Sequence, residues 1–254
     1  MLIRLLGTSH ISSKSVQAIR SEIKENKPDI VAVELDIGRA QTLQAKNVKK
    51  EIPWQMLPKV GVFGFMFVIM GRFVQEHLGK IVGVEPGSEM KEALILAARS
   101  KSRIALIDRP IQLTLRSFSQ QFSFREKMLM VWDVISAPFM GKKRMKEMGL
   151  TSFDITGVPS EDVILNLTGH LKNRYPGMYK ALISERDVYM SKSLMHILSK
   201  EKKERETMAA VNEVGPESSE PIEVKILAVV GAGHLDGMKK YLSKRGVEFE
   251  VVEY

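Results

Sequence analysis

The residue types that could do chemistry in this chain stand where apolar runs stop. His10, Glu34, Glu85, Asp108 with Arg109, and His234 each follow such a run. Imidazole nitrogen and carboxylate oxygen suit zinc, manganese, iron or cobalt where thiolates are lacking, and the chain has no cysteine. A divalent ion (Mn, Co or Zn) with an open coordination position lowers the pKa of its bound water. A carboxylate beside it can then act as general base. An arginine can bind a substrate carboxylate or face a developing oxyanion, and Arg109 and Arg186 are the candidates for that part. The pattern points to metal-assisted hydrolysis.

Two of these positions share a local motif. Leu2-Ile3-Arg4-Leu5-Leu6 runs into Gly7-Thr8-Ser9-His10, and Ile226-Leu227-Ala228-Val229-Val230 runs into Gly231-Ala232-Gly233-His234. A GxxH unit at the carboxyl end of a strand sets its imidazole at the edge where open parallel sheets bind ligands. The two imidazoles meet if the two strands are neighbours. Each residue also has a plainer use. A strand-end histidine caps a helix, Glu34 forms a salt bridge, Asp108-Arg109-Pro110 holds a turn through an ion pair, and Ser184-Glu185-Arg186-Asp187 is a solvated helix face. His77, His170 and His196 read as surface or packing residues. The acidic strand ends gain weight because several fall on one predicted edge.

That edge has to be built by the elements beneath it. Leu2–Leu6, Asp29–Val33, Lys80–Val84, Arg103–Ile107 and Ile226–Val230 are short, apolar and β-branched, so they read as buried strands. Glu248–Val252 alternates and reads as a sixth strand at an edge. Val16, Ile19 and Ile23 stand at helical spacing between the first two strands, which makes a βαβ unit with a parallel pair. The fold class is therefore α/β, with a mixed, mainly parallel central sheet flanked by helices. Helical insertions are expected over about 39–80 and 111–200, the second opening as a helix from Ile111 to Met148 with Pro138 and Gly141 as its break. A mobile, charged segment is expected over about 201–225, a frayed helix end running into a loop, within a single domain covering 1–254.

Composition narrows the rest. The formal charge of +8 is spread along the chain in clusters mixed with helix formers and acids, which favours solvated helix faces over a nucleic-acid surface. Without cysteine there is no disulfide, which is compatible with a reducing, cytoplasmic setting. No secretory signal pattern opens the chain. Residues 60–70, opening on Val60 and closing on Met70, are strongly apolar but far short of the roughly 20 residues a spanning helix needs. They are expected to form a buried helix or a homodimer contact, and the chain is expected to hold no transmembrane segment.

The ordered set Leu6-Gly7-Thr8-Ser9-His10, Val31-Ala32-Val33-Glu34-Leu35-Asp36, Glu85-Pro86-Gly87-Ser88-Glu89-Met90, Asp108-Arg109-Pro110-Ile111, Glu185-Arg186-Asp187-Val188-Tyr189-Met190 and Val229-Val230-Gly231-Ala232-Gly233-His234-Leu235 resembles the TraB/PrgY family, the pheromone-shutdown proteins. That family is related to the TIKI metalloproteases and, more distantly, to the erythromycin esterase and ChaN-like fold. The resemblance covers nearly the whole chain. It implies an α/β fold with helical insertions. It also implies that His10, His234 and Glu34 are metal ligands or acid/base groups, with Glu34, Glu85 and Arg186 completing a catalytic pocket. Many TraB-like proteins carry membrane-spanning helices after this domain. This sequence ends at Tyr254, so anchoring is not carried over. The expected function is a metal-dependent hydrolase, a peptidase acting on small or extended peptides. The alternative is a peptide-binding regulator of the pheromone-shutdown type that cuts nothing.

Overall fold

The computed structural model describes residues 2–8, 13–44, 54, 58, 61, 65, 87–136, 161–211 and 224–254. Five strands form one sheet: β1 (Leu2–Thr8), β2 (Ile30–Val33), β3 (Arg103–Leu106), β4 (Lys225–Gly231) and β5 (Phe249–Val252). Their order is β3-β2-β4-β1-β5, and every pairing is parallel. Parallel strands covered on both faces need apolar side chains on both sides. All four β2 residues, and all of β4 after Lys225, are buried accordingly. β5 lies at an edge, as its alternation predicts, and β3 lies at the other. The expected strand at residues 80–84 lies outside the described residues, as do His10, His77 and Glu85.

One face of the sheet carries Leu6, Val31, Val33, Leu227 and Val229. It packs on α1 (Ser13–Asn26), α2 (Ile37–Gln44) and α3 (Ser88–Arg99) through Ile19, Ile23, Ala40, Met90 and Ala93. The other face carries Ile3, Leu5, Ile226, Ala228 and Val230. It packs on α8 (Glu185–Val211) and α9 (Ala232–Ser243) through Met190, Leu194, Met238 and Leu242. The result is a three-layer αβα arrangement. Between β3 and α8 come α4 (Ile111–Gln121), α5 (Phe124–Ser136), α6 (Glu161–Arg174), α7 (Pro176–Tyr179) and a π-helical turn at Lys180–Ser184. Phe118, Phe122, Met178 and Ala181 form a satellite core among them.

Two expectations change. A helix was expected from residue 111 with its break at Pro138 and Gly141, but the chain already breaks at Phe122 and Ser123. Ser123 and Glu126 form a capping box there: the Glu126 carboxylate accepts from the Ser123 amide at 2.8 Å, and the Glu126 amide donates to Ser123 Oγ at 3.3 Å. The charged segment from residue 201, expected to open as a frayed helix end, is regular helix as far as Val211, where α8 ends. Glu201 is buried and paired with Arg103, and Arg205 reaches Asp29 at 3.6 Å, so this half of α8 is fastened to the sheet. Of residues 60–70, only Gly61 and Phe65 are described, and Phe65 is buried with Trp54 at a ring-centroid distance of 5.0 Å.

Candidate functional site

The register sets the opening residues of the two GxxH motifs side by side. β1 pairs with β4 so that Gly7 stands opposite Val230 and Thr8 opposite Gly231. β2 lies on the other side of β4, with Val33 opposite Val229. Glu34 therefore leaves β2 directly beside the end of β4, and its amide donates to the Val229 carbonyl at 3.0 Å. Gly7 sits close against α9: a Cβ there would lie 2.2 Å from Leu235 Cδ1.

Glu34 is 2% exposed. Its Oε2 accepts from the Gly231 amide at 2.5 Å, and its Oε1 accepts from Arg186 Nη2. Gly231 is the residue before α9, so the carboxylate lies at the electropositive end of that helix. Arg186 also donates to both Asp108 oxygens, Nε at 3.0 Å and Nη2 at 2.8 Å. A planar guanidinium can hold a carboxylate with two parallel bonds in this way. Asp108 further accepts from Arg39 Nη1 at 3.0 Å. Arg186 is pushed above its ordinary pKa: burial opposes its charge, and the adjoining Glu34 and Asp108 outweigh that.

His234 lies on the first turn of α9 and is 7% exposed. Its Nδ1 is 2.6 Å from Asp187 Oδ1 and its Nε2 is 3.4 Å from Glu34 Oε1. Burial works against the imidazolium, but the charge of Glu34 and the bonds to Asp187 and Glu34 outweigh it and hold the pKa up at about 9. Asp187 is pushed up by burial, with the His234 bond acting in the opposite direction. Gly237 faces Asp187 one turn along α9. A Cβ at that position would lie 1.9 Å from Asp187 Oδ2, so the glycine lets the carboxylate reach the imidazole.

A family model described as TraB/PrgY/gumN matches residues 2–251. The chain belongs to the TraB/PrgY/gumN family. An uncharacterized protein of Methanocaldococcus jannaschii is 31% identical over 99% of this chain and 56% of its own length. TraB domain-containing proteins of Bos taurus and Homo sapiens are 26% and 25% identical, each over 94% of this chain and 62% of its own length. The chain thus spans little more than half the length of these relatives. Among the described residues no helix is long and apolar enough to cross a membrane.

In this TraB-family chain the described part of the expected site converges: Glu34, Arg186 and His234 share one buried cluster. His10 and Glu85 lie outside the described residues. Two plainer readings fail. Asp108 does not pair with the Arg109 side chain, which instead donates to Glu185 at 2.5 Å, and Asp108 serves Arg186 and Arg39. Asp187 is not on a solvated face but 4% exposed behind His234. Adjacency to Arg186 is no signal of this, because successive helix residues do not share a face.

The resemblance brings a divalent metal, and the described residues can be tested against it. Among them no group of three His, Asp or Glu is arranged to hold an ion. A pair of donors is present. The 3.4 Å between His234 Nε2 and Glu34 Oε1 is about the separation of two ligands on one tetrahedral ion with bonds of about 2.1 Å. Asp187 on the other imidazole nitrogen is the support that metal-bound histidines generally have. His234 and Glu34 fit as two members of a ligand set only with the Nε2 proton released, which an ion would have to displace from a ring held protonated up to about pH 9.

Proposed function

We propose that this protein is a metal-dependent hydrolase, a peptidase acting on small or extended peptides. The observation that carries the reading is the buried Glu34–Arg186–His234–Asp187 cluster at the carboxyl ends of adjacent parallel strands. His234 Nε2 and Glu34 would hold the ion, with His10 as a further ligand. When bound, the ion would supply a water of lowered pKa. Asp187 fixes the His234 ring through Nδ1. Arg186, anchored on Asp108, sets a positive charge beside Glu34, where an oxyanion would develop. Glu85 is assigned the proton transfer that Glu34 cannot make while it holds the ion.

A second reading has its own observation. Both Glu34 oxygens already accept hydrogen bonds, one of them from the Arg186 cation. A site satisfied in this way suits a regulator that captures peptide without cutting it. Metal analysis of protein loaded with manganese, followed by a peptide-library cleavage assay on wild type and His234→Ala, separates the two. The hydrolase reading expects an ion held by wild type, lost in the variant, with cleavage lost alongside it. A folded wild type that binds peptide, holds no ion and cuts nothing establishes the regulator instead.

A further inference from the structure

An open groove of about 680 Å³ runs between α4 and the stretch that joins the π-helical turn to α8. On α4 its wall is the face carrying Leu113, Arg116 and Ser117; on the other side it carries Lys180, Tyr189 and Lys192. Arg109 and Glu185 also line it. Arg109 directly follows Asp108 and Glu185 directly precedes Arg186, so the groove begins one residue away from the buried cluster on both chain segments.

The groove is unbalanced in charge. α4 contains no acidic residue. Glu185 is the one carboxylate among the lining residues, and it is committed: Arg109 donates to it at 2.5 Å and Ser117 Oγ at 2.6 Å. That leaves Arg116, Lys180 and Lys192. Among the described residues no carboxylate forms a close ion pair with any of the three; Lys180 donates to the Gln121 side-chain oxygen at 3.4 Å and acts on Glu185 only at longer range. Three such cations around one concavity attract anions and focus the field within it. The groove also shows apolar surface: Leu113 is 44% and Tyr189 40% exposed.

From these features we infer that the groove binds a short peptide carrying acidic side chains, with its carboxylates on Arg116, Lys180 and Lys192 and an apolar side chain against Leu113 and Tyr189. Nucleic acid fits less well. Even a single module that reads it covers roughly 600–1,000 Å² of basic surface, whereas here the cations are confined to one pocket with a fixed carboxylate in its lining. The inference rests on the peptide reading of the neighbouring cluster and adds the class of peptide, in which the acidic residues lie beside the bond or segment that the cluster handles.

The test is fluorescence anisotropy on the full chain with three labelled peptides of equal length, rich in Glu, in Lys or in Ser, and with a labelled oligothymidylate. The acidic peptide is expected to bind at least about tenfold more tightly than the neutral one. That preference should weaken as NaCl rises from about 0.05 M to about 0.3 M. Arg116→Glu combined with Lys192→Glu should abolish it. Both positions are exposed, so thermal unfolding of the double variant should match wild type. Equal binding of acidic and neutral peptides, an acidic preference that survives the double variant, or tighter binding of oligothymidylate each overturns the inference. The two proposals fail separately. Acidic peptide held in the groove but never cut leaves the groove standing and removes the peptidase; cleavage indifferent to acidity does the reverse.

Discussion

Arg186 reaches two strand ends at once, bonding Glu34 after β2 and both oxygens of Asp108 after β3. Those carboxylates are 2% and 6% exposed, so water cannot replace the guanidinium where it is lost. Removing one partner of a buried ion pair typically costs about 3–5 kcal/mol. Arg186→Ala is expected to lose stability in that range in urea unfolding. Arg186→Lys should recover only part of it, because an ammonium cannot match the paired bonds to Asp108. A loss for Arg186→Ala under about 1 kcal/mol would mean that the carboxylates are solvated in solution. Asp187 is the residue-scale support on the other side. Gly237→Ala puts a methyl where the Asp187 carboxylate stands, at 1.9 Å from Oδ2 and 2.6 Å from Cγ. The carboxylate must turn away from His234, and loss of such a support typically costs about 10- to 100-fold in metal affinity. If His234 holds an ion as proposed, manganese titration of Gly237→Ala should show a loss of that size. Unchanged affinity would show that α9 shifts instead and that Asp187 keeps its bond.

At the scale of elements, what could be read from the sequence follows from which forces are local. Four apolar runs, at residues 2–6, 29–33, 103–107 and 226–230, lie on β1 to β4. For β2 and β4 this is because a parallel strand buried on both faces is written as a continuous apolar segment, whereas β3, read as buried, is an edge strand with Ile104 exposed. α8 was harder. Residues 201–207 are all polar, and what fastens them is distant: Arg103 on β3 and Asp29 before β2 hold Glu201 and Arg205. Periodicity in a window cannot register a partner a hundred residues away. The start of α5 is the opposite case, a local signal in Ser123-Phe124-Arg125-Glu126. Glu126 accepts from the Ser123 amide and hydroxyl, both at 2.8 Å, and from the Gly177 amide at 2.7 Å, so it caps α5 and clips it to α7. Burial pushes the Glu126 pKa up, but these bonds outweigh it and hold it below the usual 4.5. A depressed carboxylate stabilises the fold above its unfolded pKa, and that contribution is lost as pH falls through the folded value. Glu126→Gln is therefore expected to cost about 1 kcal/mol at neutral pH. The gap to wild type should narrow as pH falls below about 4.5 and vanish only below the depressed folded value, followed by melting temperature at pH 7 and pH 3. A gap that stays constant with pH would assign the effect to packing rather than charge.

The whole molecule is closed by strands from the two ends of the chain. β4, near the carboxyl end, lies between β1 at the amino terminus and β2, and it carries the first turn of α9 with His234. Tyr254 adds a second tie, its hydroxyl donating to the Gly7 carbonyl at 2.7 Å and lying 2.9 Å from Ser15 Oγ. The candidate site therefore depends on pairings between residues more than 190 positions apart, as in Glu34 with Gly231 at a separation of 197. Such contacts form only when the sheet does, and the least exchangeable amides of a domain are those that open only with global unfolding. The Gly231 amide differs from its β4 neighbours in one respect: its acceptor is the Glu34 side chain rather than strand backbone. If the cluster is part of the cooperative core, Gly231 in wild type should exchange as slowly as Ala228 at the middle of β4. In Glu34→Ala, Gly231 should lose at least about tenfold in protection beyond any global change, the loss expected for one buried hydrogen bond to a charged acceptor, while Ala228 follows global stability alone. Native-state hydrogen exchange read residue by residue measures both. Fast exchange of Gly231 in wild type would show that the strand ends open independently of the sheet, and that the site is assembled by its ligand rather than by the fold.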